Sequence, residues 1–228
     1  TSDLPDRDFV FGGTIVSNGD VGYHGRSEKD RLNMTGTTHG SIECINGQWY
    51  VFYHRLTHKS DYSRQACAEP ITILPDGSIP QVEITSCGLN GKPLHGIGTY
   101  PAVIACNITN GHMPHGSNKI YTDSFPNATH CGEDRFIGEI QDGTMLGYKY
   151  FAFSGAKEIG VQYRGSCNGK FVVSDNMDGK NIVAEIPVAP ADAWTESRAP
   201  LHISDGTHPL YLFYCGDGEA AVKELYLA

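Results

Sequence analysis

The sequence predicts an all-β chain, on three observations. Turn dipeptides recur along it: Asn46-Gly47, Asp76-Gly77, Asn90-Gly91, Asp142-Gly143, Asn168-Gly169, Asp178-Gly179, Asp205-Gly206 and Asp217-Gly218. Each tolerates the positive φ of a tight turn. Between them lie short runs rich in Val, Ile, Tyr and Phe, residue types that fit a pleated, half-buried surface. No window of a dozen residues repeats its apolar positions with a helical period of 3.6.

Taken in order, "SIECI" and "QWYVFYH" flank Asn46-Gly47 and predict a hairpin, and "EPITIL" and "QVEIT" predict a second one around Asp76-Gly77. The stretch "GKPLHGIGTYP", rich in Gly and Pro, reads as a linker. It divides the chain into a first segment over residues 1–94 and a second over 95–228. Beyond it, "AVIACNI", "MLGYKYFAF", "EIGVQYRG", "KFVVSD", "NIVAEIPV", "HPLYLFYC" and "AVKELYLA" are strand candidates. Together with their neighbours they suit a two-sheet jelly roll. Two hairpins do not close a core and leave strand edges open. The first segment is therefore expected to be weak alone and to be a piece of something larger.

A chain of 228 residues with 39% hydrophobic and 19% charged residues reads as an ordinary globular protein. A net charge of −9, without any Lys/Arg run, argues against a nucleic-acid partner. No apolar stretch approaches the roughly 18 residues of a membrane helix. The opening "TSDLPDRDFVFGG" lacks the basic start and apolar centre of a signal peptide, and the compartment stays undetermined. Seven cysteines, an odd number without CxxC spacing, argue against a zinc site or a full disulfide framework and predict mostly buried free thiols. Asn33, Asn107 and Asn127 stand in N-x-T triplets, which carry meaning only in a secreted eukaryotic protein.

The order of pieces from "FVFGGTIVSNG" through His39-Gly40-Ser41, "NGQWYVFYHR", "YSRQAC" and "LPDGSIPQVEIT" resembles the C-terminal end of the catalytic domain of glycoside hydrolase family 43. The second segment, with "FIGEIQDGTMLGYKYFAF", Trp194, "DGTHPLYLFYCGDG" and "AVKELYLA", resembles carbohydrate-binding modules of family 6. The resemblance implies the C-terminal blades of a five-bladed β-propeller followed by a jelly-roll β-sandwich. It also implies part of an inverting glycosidase, of the arabinofuranosidase or xylosidase class, acting on plant cell-wall polysaccharide. Its partner would be the missing N-terminal half of the propeller.

Inversion needs an acid and a base carboxyl about 6.5–9.5 Å apart. By the resemblance these lie in earlier blades, so no catalytic residue is assigned and the chain alone is expected to be inactive. Glu43 shares a strand face with His39 and Ser41 by period two; a solvated strand carboxylate explains it equally. Glu69 and Glu83 have no constellation in the sequence around them. His39 has two readings: by the resemblance it helps hold calcium, or its water shell, in the propeller channel; otherwise it is a buried, hydrogen-bonded histidine. Arg64 matches a family arginine near the sugar, or makes a structural ion pair. In the second segment the resemblance sets Trp194, in a loop, facing Phe136 across a sugar site, while the alternative is a Trp packing its own loop. Lys223 stands where an Asn is usual, Phe136 where a Tyr is, and Cys106 where the module's structural calcium would want a Glu. The competing function is a non-catalytic carbohydrate-binding or structural protein.

Overall fold

The computed structural model describes residues 1–116 and 120–228. Its strands are β1 (Ser41–Ile45), β2 (Gln48–Thr57), β3 (Ser60–Ile71), β4 (Leu94–His95), β5 (Gly98–Pro101), β6 (Asn107–Thr109), β7 (Asn127–Cys131), β8 (Asp134–Ile140), β9 (Met145–Phe153), β10 (Glu158–Gly165), β11 (Asn168–Ser174), β12 (Ile182–Val188), β13 (Ala191–Pro200), β14 (Gly206–Asp217) and β15 (Ala220–Leu227). The only helical elements among the described residues are single 3-10 turns, so the all-β expectation holds.

β1, β2 and β3 form an antiparallel meander, the blade-like part of the fold. Asn46 and Gly47 both take positive φ, 50° and 83°, the type I′ geometry that matches strand twist. The next turn repeats this with His58 and Lys59, at 51° and 54°, without a glycine. Around the meander run residues 1–40 and 72–93, which contribute no strand.

The second hairpin expected at Asp76-Gly77 is absent. The turn itself forms: Leu74 N donates to Ser78 O, and Gly77 N to Leu74 O. Its flanks pair elsewhere, because "EPI" ends β3 against β2, with Ile71 opposite Trp49. "QVEITS" is instead held by Ile15 O on Val82 N, Asp20 on Ile84 N and Lys149 O on Ser86 N. The supposed linker is likewise structured, since β4 pairs with β9 and β5 with β15.

Two six-stranded sheets make the sandwich, one running β13-β10-β15-β8-β7 with β5 also on β15, the other β12-β11-β14-β9-β4 with β6 also on β9. Alternate residues face inward: Phe171 and Val173 on β11, Leu210, Leu212 and Tyr214 on β14, Ile159 and Val161 on β10, all fully buried. This main core lies wholly within residues 102–227. Every other buried apolar cluster that includes a residue of the first ninety also draws on residues beyond 100. Met34 and Leu56 pack with Met113, Tyr121 and Phe125, and Leu32 with Met145 and Tyr211.

Polar contacts close the same junction. Arg55 donates to the carbonyls of Val103 and Ala105, and Asn33 donates to Cys106 O while accepting from Ile108 N. Deepest is Lys149, fully buried, whose ammonium meets Asp20 at 3.1 Å and Glu83 at 2.8 Å. Burial works against that charge, but Cys106, Asp20 and Glu83 outweigh it and raise its pKa. Tyr150 donates its hydroxyl to the other Glu83 oxygen at 2.7 Å.

All seven cysteines are free, as expected, but only Cys106 and Cys167 are buried; Cys44, Cys131 and Cys215 are exposed. No described helix is long and apolar enough to cross a membrane.

Candidate functional site

The structure brings Phe136 and Trp194 together, though not across a loop. Their ring centroids lie 5.5 Å apart, edge to face. Trp194 stands on β13 and Phe136 on β8, and the rings reach each other across the strands between, in the order β13-β10-β15-β8. Strand alternation explains the placement: Val161 and Tyr163, Val222, and Ile137 face the core. Their neighbours Arg164, Lys223 and Phe136 therefore share the opposite face. Trp194 evaded a strand assignment because β13 is an edge strand, mostly exposed and polar.

This row is fully engaged within the protein. The Arg164 guanidinium lies 4.3 Å from the Trp194 ring and 5.2 Å from that of Phe136. The indole Nε1 donates to Asp134 Oδ2 at 2.8 Å, and Lys223 Nζ meets Asp134 Oδ1 at 2.7 Å. Those two bonds, from Lys223 and then Trp194, hold the Asp134 carboxyl below its usual range. A sugar can stack on this indole face only where Arg164 moves aside. Neither Arg164 nor Asp134 was singled out from the sequence. Their signal was the strand alternation of "EIGVQYRG" and "DRFIGEI", which sets them on the outer face once the neighbouring core positions are known.

Arg64 sits elsewhere, opposite Leu56 near the end of the β2–β3 hairpin. Among the described residues its guanidinium makes only long contacts, 3.4 Å, to Asp61 O. It opens on a cleft of about 850 Å³ between this hairpin and the β7–β8 hairpin of the sandwich. The four site residues thus fall at three separate places.

His39 is exposed, and none of the described residues covers it. Its ring packs edge-on against His54 at 4.6 Å, and His54 Nε2 is buried without a hydrogen-bond partner among the described residues. No described group of three His, Cys, Asp or Glu side chains could hold a metal ion. Calcium prefers six to eight oxygen ligands, so these imidazoles do not by themselves fit it.

The carboxylates are committed too. Glu43 is exposed on β1 and, among the described residues, accepts only from Cys44 N. Glu69, 1% exposed, accepts from Thr85 N, Thr85 Oγ1 and Tyr53 OH. Asp20 and Glu83 are bound to Lys149.

No family model matches the chain. A curated protein of Thermoclostridium stercorarium named xylosidase/arabinosidase is 42% identical over 241 residues, covering all of this chain and 50% of that protein. The chain thus spans about half the length of the curated relative it matches. Among solved structures, a glycoside hydrolase family 43 arabinoxylan arabinofuranohydrolase from Bacillus subtilis, in complex with cellotetraose, superposes with a TM-score of 0.52. It is 17% identical and covers 100% of this chain and 46% of its own. A family 6 carbohydrate-binding module from Clostridium cellulolyticum in complex with xylose covers 59% of this chain and 98% of its own, at 14% identity and a TM-score of 0.49. Over its whole length the chain is similar to part of a xylosidase/arabinosidase, and its fold is that of part of a family 43 arabinofuranohydrolase, a propeller portion joined to a β-sandwich.

Proposed function

We propose that residues 1–228 are part of an inverting glycoside hydrolase acting on arabinose- or xylose-containing plant polysaccharides. The observation that carries this reading is the 42% identity, across the full chain, to a protein named xylosidase/arabinosidase. The acid and base carboxyls come from outside these residues; Asp20 and Glu83 are held by Lys149, and Glu69 by Thr85 and Tyr53. The remaining propeller blades, supplied by the rest of a longer protein, complete the substrate channel beside the meander. A calcium ion near His39 belongs to this proposal only with oxygen ligands from water or from those other blades.

On the sandwich, Trp194 and Phe136 are the proposed sugar platform, with Arg164 as the group a sugar must displace. The experiment is hydrolysis of aryl arabinofuranosides and xylosides, by these residues alone and by the longer protein, with the anomeric configuration of the product followed by NMR. The longer protein is expected to turn over one of these substrates with inversion, and residues 1–228 to turn over neither. Retention, or turnover by residues 1–228, overturns the assignment. For the platform, Trp194→Ala should abolish xylan-fragment binding while Arg164→Ala strengthens it.

A further inference from the structure

The cleft at the junction has a charge pattern that a neutral sugar does not need. Arg64 from the β2–β3 hairpin and Arg135 from β8 both line it, with His58, His130, Gln65 and Thr129. Arg135 is exposed and, among the described residues, makes neither a hydrogen bond nor an ion pair. Arg64, among the same residues, makes only its long contacts to Asp61 O. Elsewhere cations are mostly spent: Lys59 on Glu139, Lys149 on Asp20 and Glu83, Lys170 on Glu185, Arg198 on Glu158 and Glu196, Lys223 on Asp134. In a chain of net charge −9, two unneutralised guanidiniums on facing walls stand out. The one carboxylate lining the cleft is Glu133.

The walls are fixed in place. His58 N donates to Ala128 O at 2.7 Å, Tyr121 N to Lys59 O at 2.8 Å, and Lys59 Nζ meets Glu139 at 2.8 Å. The rings of His58 and His130 are joined Nε2 to Nδ1 at 2.9 Å. A bond between two neutral imidazoles uses one N–H, so one further ring N–H is left for a ligand oxygen. Burial, then His130 and Arg135, lowers the His58 pKa; the permanently charged groups of the lining are the two arginines.

We propose that this cleft binds the carboxylate of an acidic sugar, such as a uronate side group on a xylan chain. This rests on the reading of the protein as xylan-acting. A guanidinium is a planar fork of donors that matches a carboxylate, and charge-assisted bonds of this kind are roughly twice as strong as neutral ones. Gln65, Thr57 and Thr129 on the same lining offer the donors and acceptors that sugar hydroxyls require. A nucleic acid fits poorly, because the protein around the cleft repels a polyanion.

The test is calorimetric titration of residues 1–228 with xylotetraose and with xylotetraose carrying one glucuronate, at neutral pH and low salt. The acidic ligand should bind about tenfold more tightly, and raising the salt to about 0.3 M should erode that advantage. Arg64→Gln and Arg135→Gln should each remove most of the difference, and Arg135→Gln should leave the neutral ligand's affinity unchanged. Both residues are exposed, and a thermal melt verifies that each variant stays folded. Equal affinities for the two ligands overturn the cleft assignment and leave the xylan reading standing. Binding of neither overturns both. Competition by inorganic phosphate as strong as that by glucuronate overturns the sugar class and leaves a generic anion site.

Discussion

Glu69 shows how far one residue's chemistry can be set by a neighbour distant in sequence. Burial pushes its carboxyl up to about 7, against the pull of bonds from Thr85 and Tyr53. The ordinary value is 4.5, so between these limits the folded protein binds a proton that the unfolded chain has released. This contribution to stability is fully present below 4.5 and is lost as pH rises through 7. It amounts to at most about 3 kcal/mol. Urea unfolding over that window should show stability falling with pH in the wild type and a flatter profile in Glu69→Gln; parallel profiles would refute the assignment. In the sequence Glu69 had no constellation around it, because Thr85 lies sixteen positions on and only the fold joins them. Arg164 and Asp134 were hidden in the same way. The pairing of Phe136 with Trp194, by contrast, was legible, since the resemblance sets the two facing each other even where the local element is misread.

At the scale of elements, Gly40 is the tightest point of the meander. A Cβ built there lies 1.6 Å from Phe52 O, against open space at Gly47. No small shift accommodates that overlap, so Gly40→Ala must part β1 from β2. A loss of at least about 2 kcal/mol is expected, with fast amide exchange confined to Ile42 and Cys44. Gly47→Ala, strained only by its φ of 83°, should cost about 1 kcal/mol. The Asn46-Gly47 hairpin could be read from sequence because both flanks pair with each other across the turn. The Asp76-Gly77 turn has the same local signal, but Ile71 finds Trp49 and Ile84 finds Asp20. Turn chemistry specifies a reversal of the chain; it does not specify which strands then pair. The short β4 and β5 were read as linker for a related reason, since their pairing energy comes from β9 and β15, far along the chain.

Among the described residues, the meander and its surrounding loops own no separate core, and residues beyond 100 supply the other part of each cluster they enter. The Lys149 ammonium is the centre of that junction. Removing it strands Asp20, 2% exposed, as an uncompensated buried charge. Lys149→Ala should therefore cost about 3–5 kcal/mol. Amide exchange is expected to rise first around Asp20 and Ile84, with the sandwich strands protected. If the sandwich loses protection at the same rate, the two parts unfold as one unit. Among the described residues β1 pairs on one side only, which leaves open the strand edge expected from the sequence.

The distribution of free thiols makes the protein its own clock for opening. Cys44, Cys131 and Cys215 lie on the surface, Cys106 is sealed where Asn33 and Ile108 meet, and Cys167 sits in the sandwich interior. Burial holds the Cys106 thiol up at about 11, so it is silent toward an alkylating reagent while covered. Pulse labelling followed by mass spectrometry should read three marks at once. The half-buried Cys67 and Cys87 should follow; a mark on Cys106 should come when the first ninety residues lift away, and the mark on Cys167 only when the sandwich itself opens. The order of the last two modifications times the separation of the two parts without any added probe.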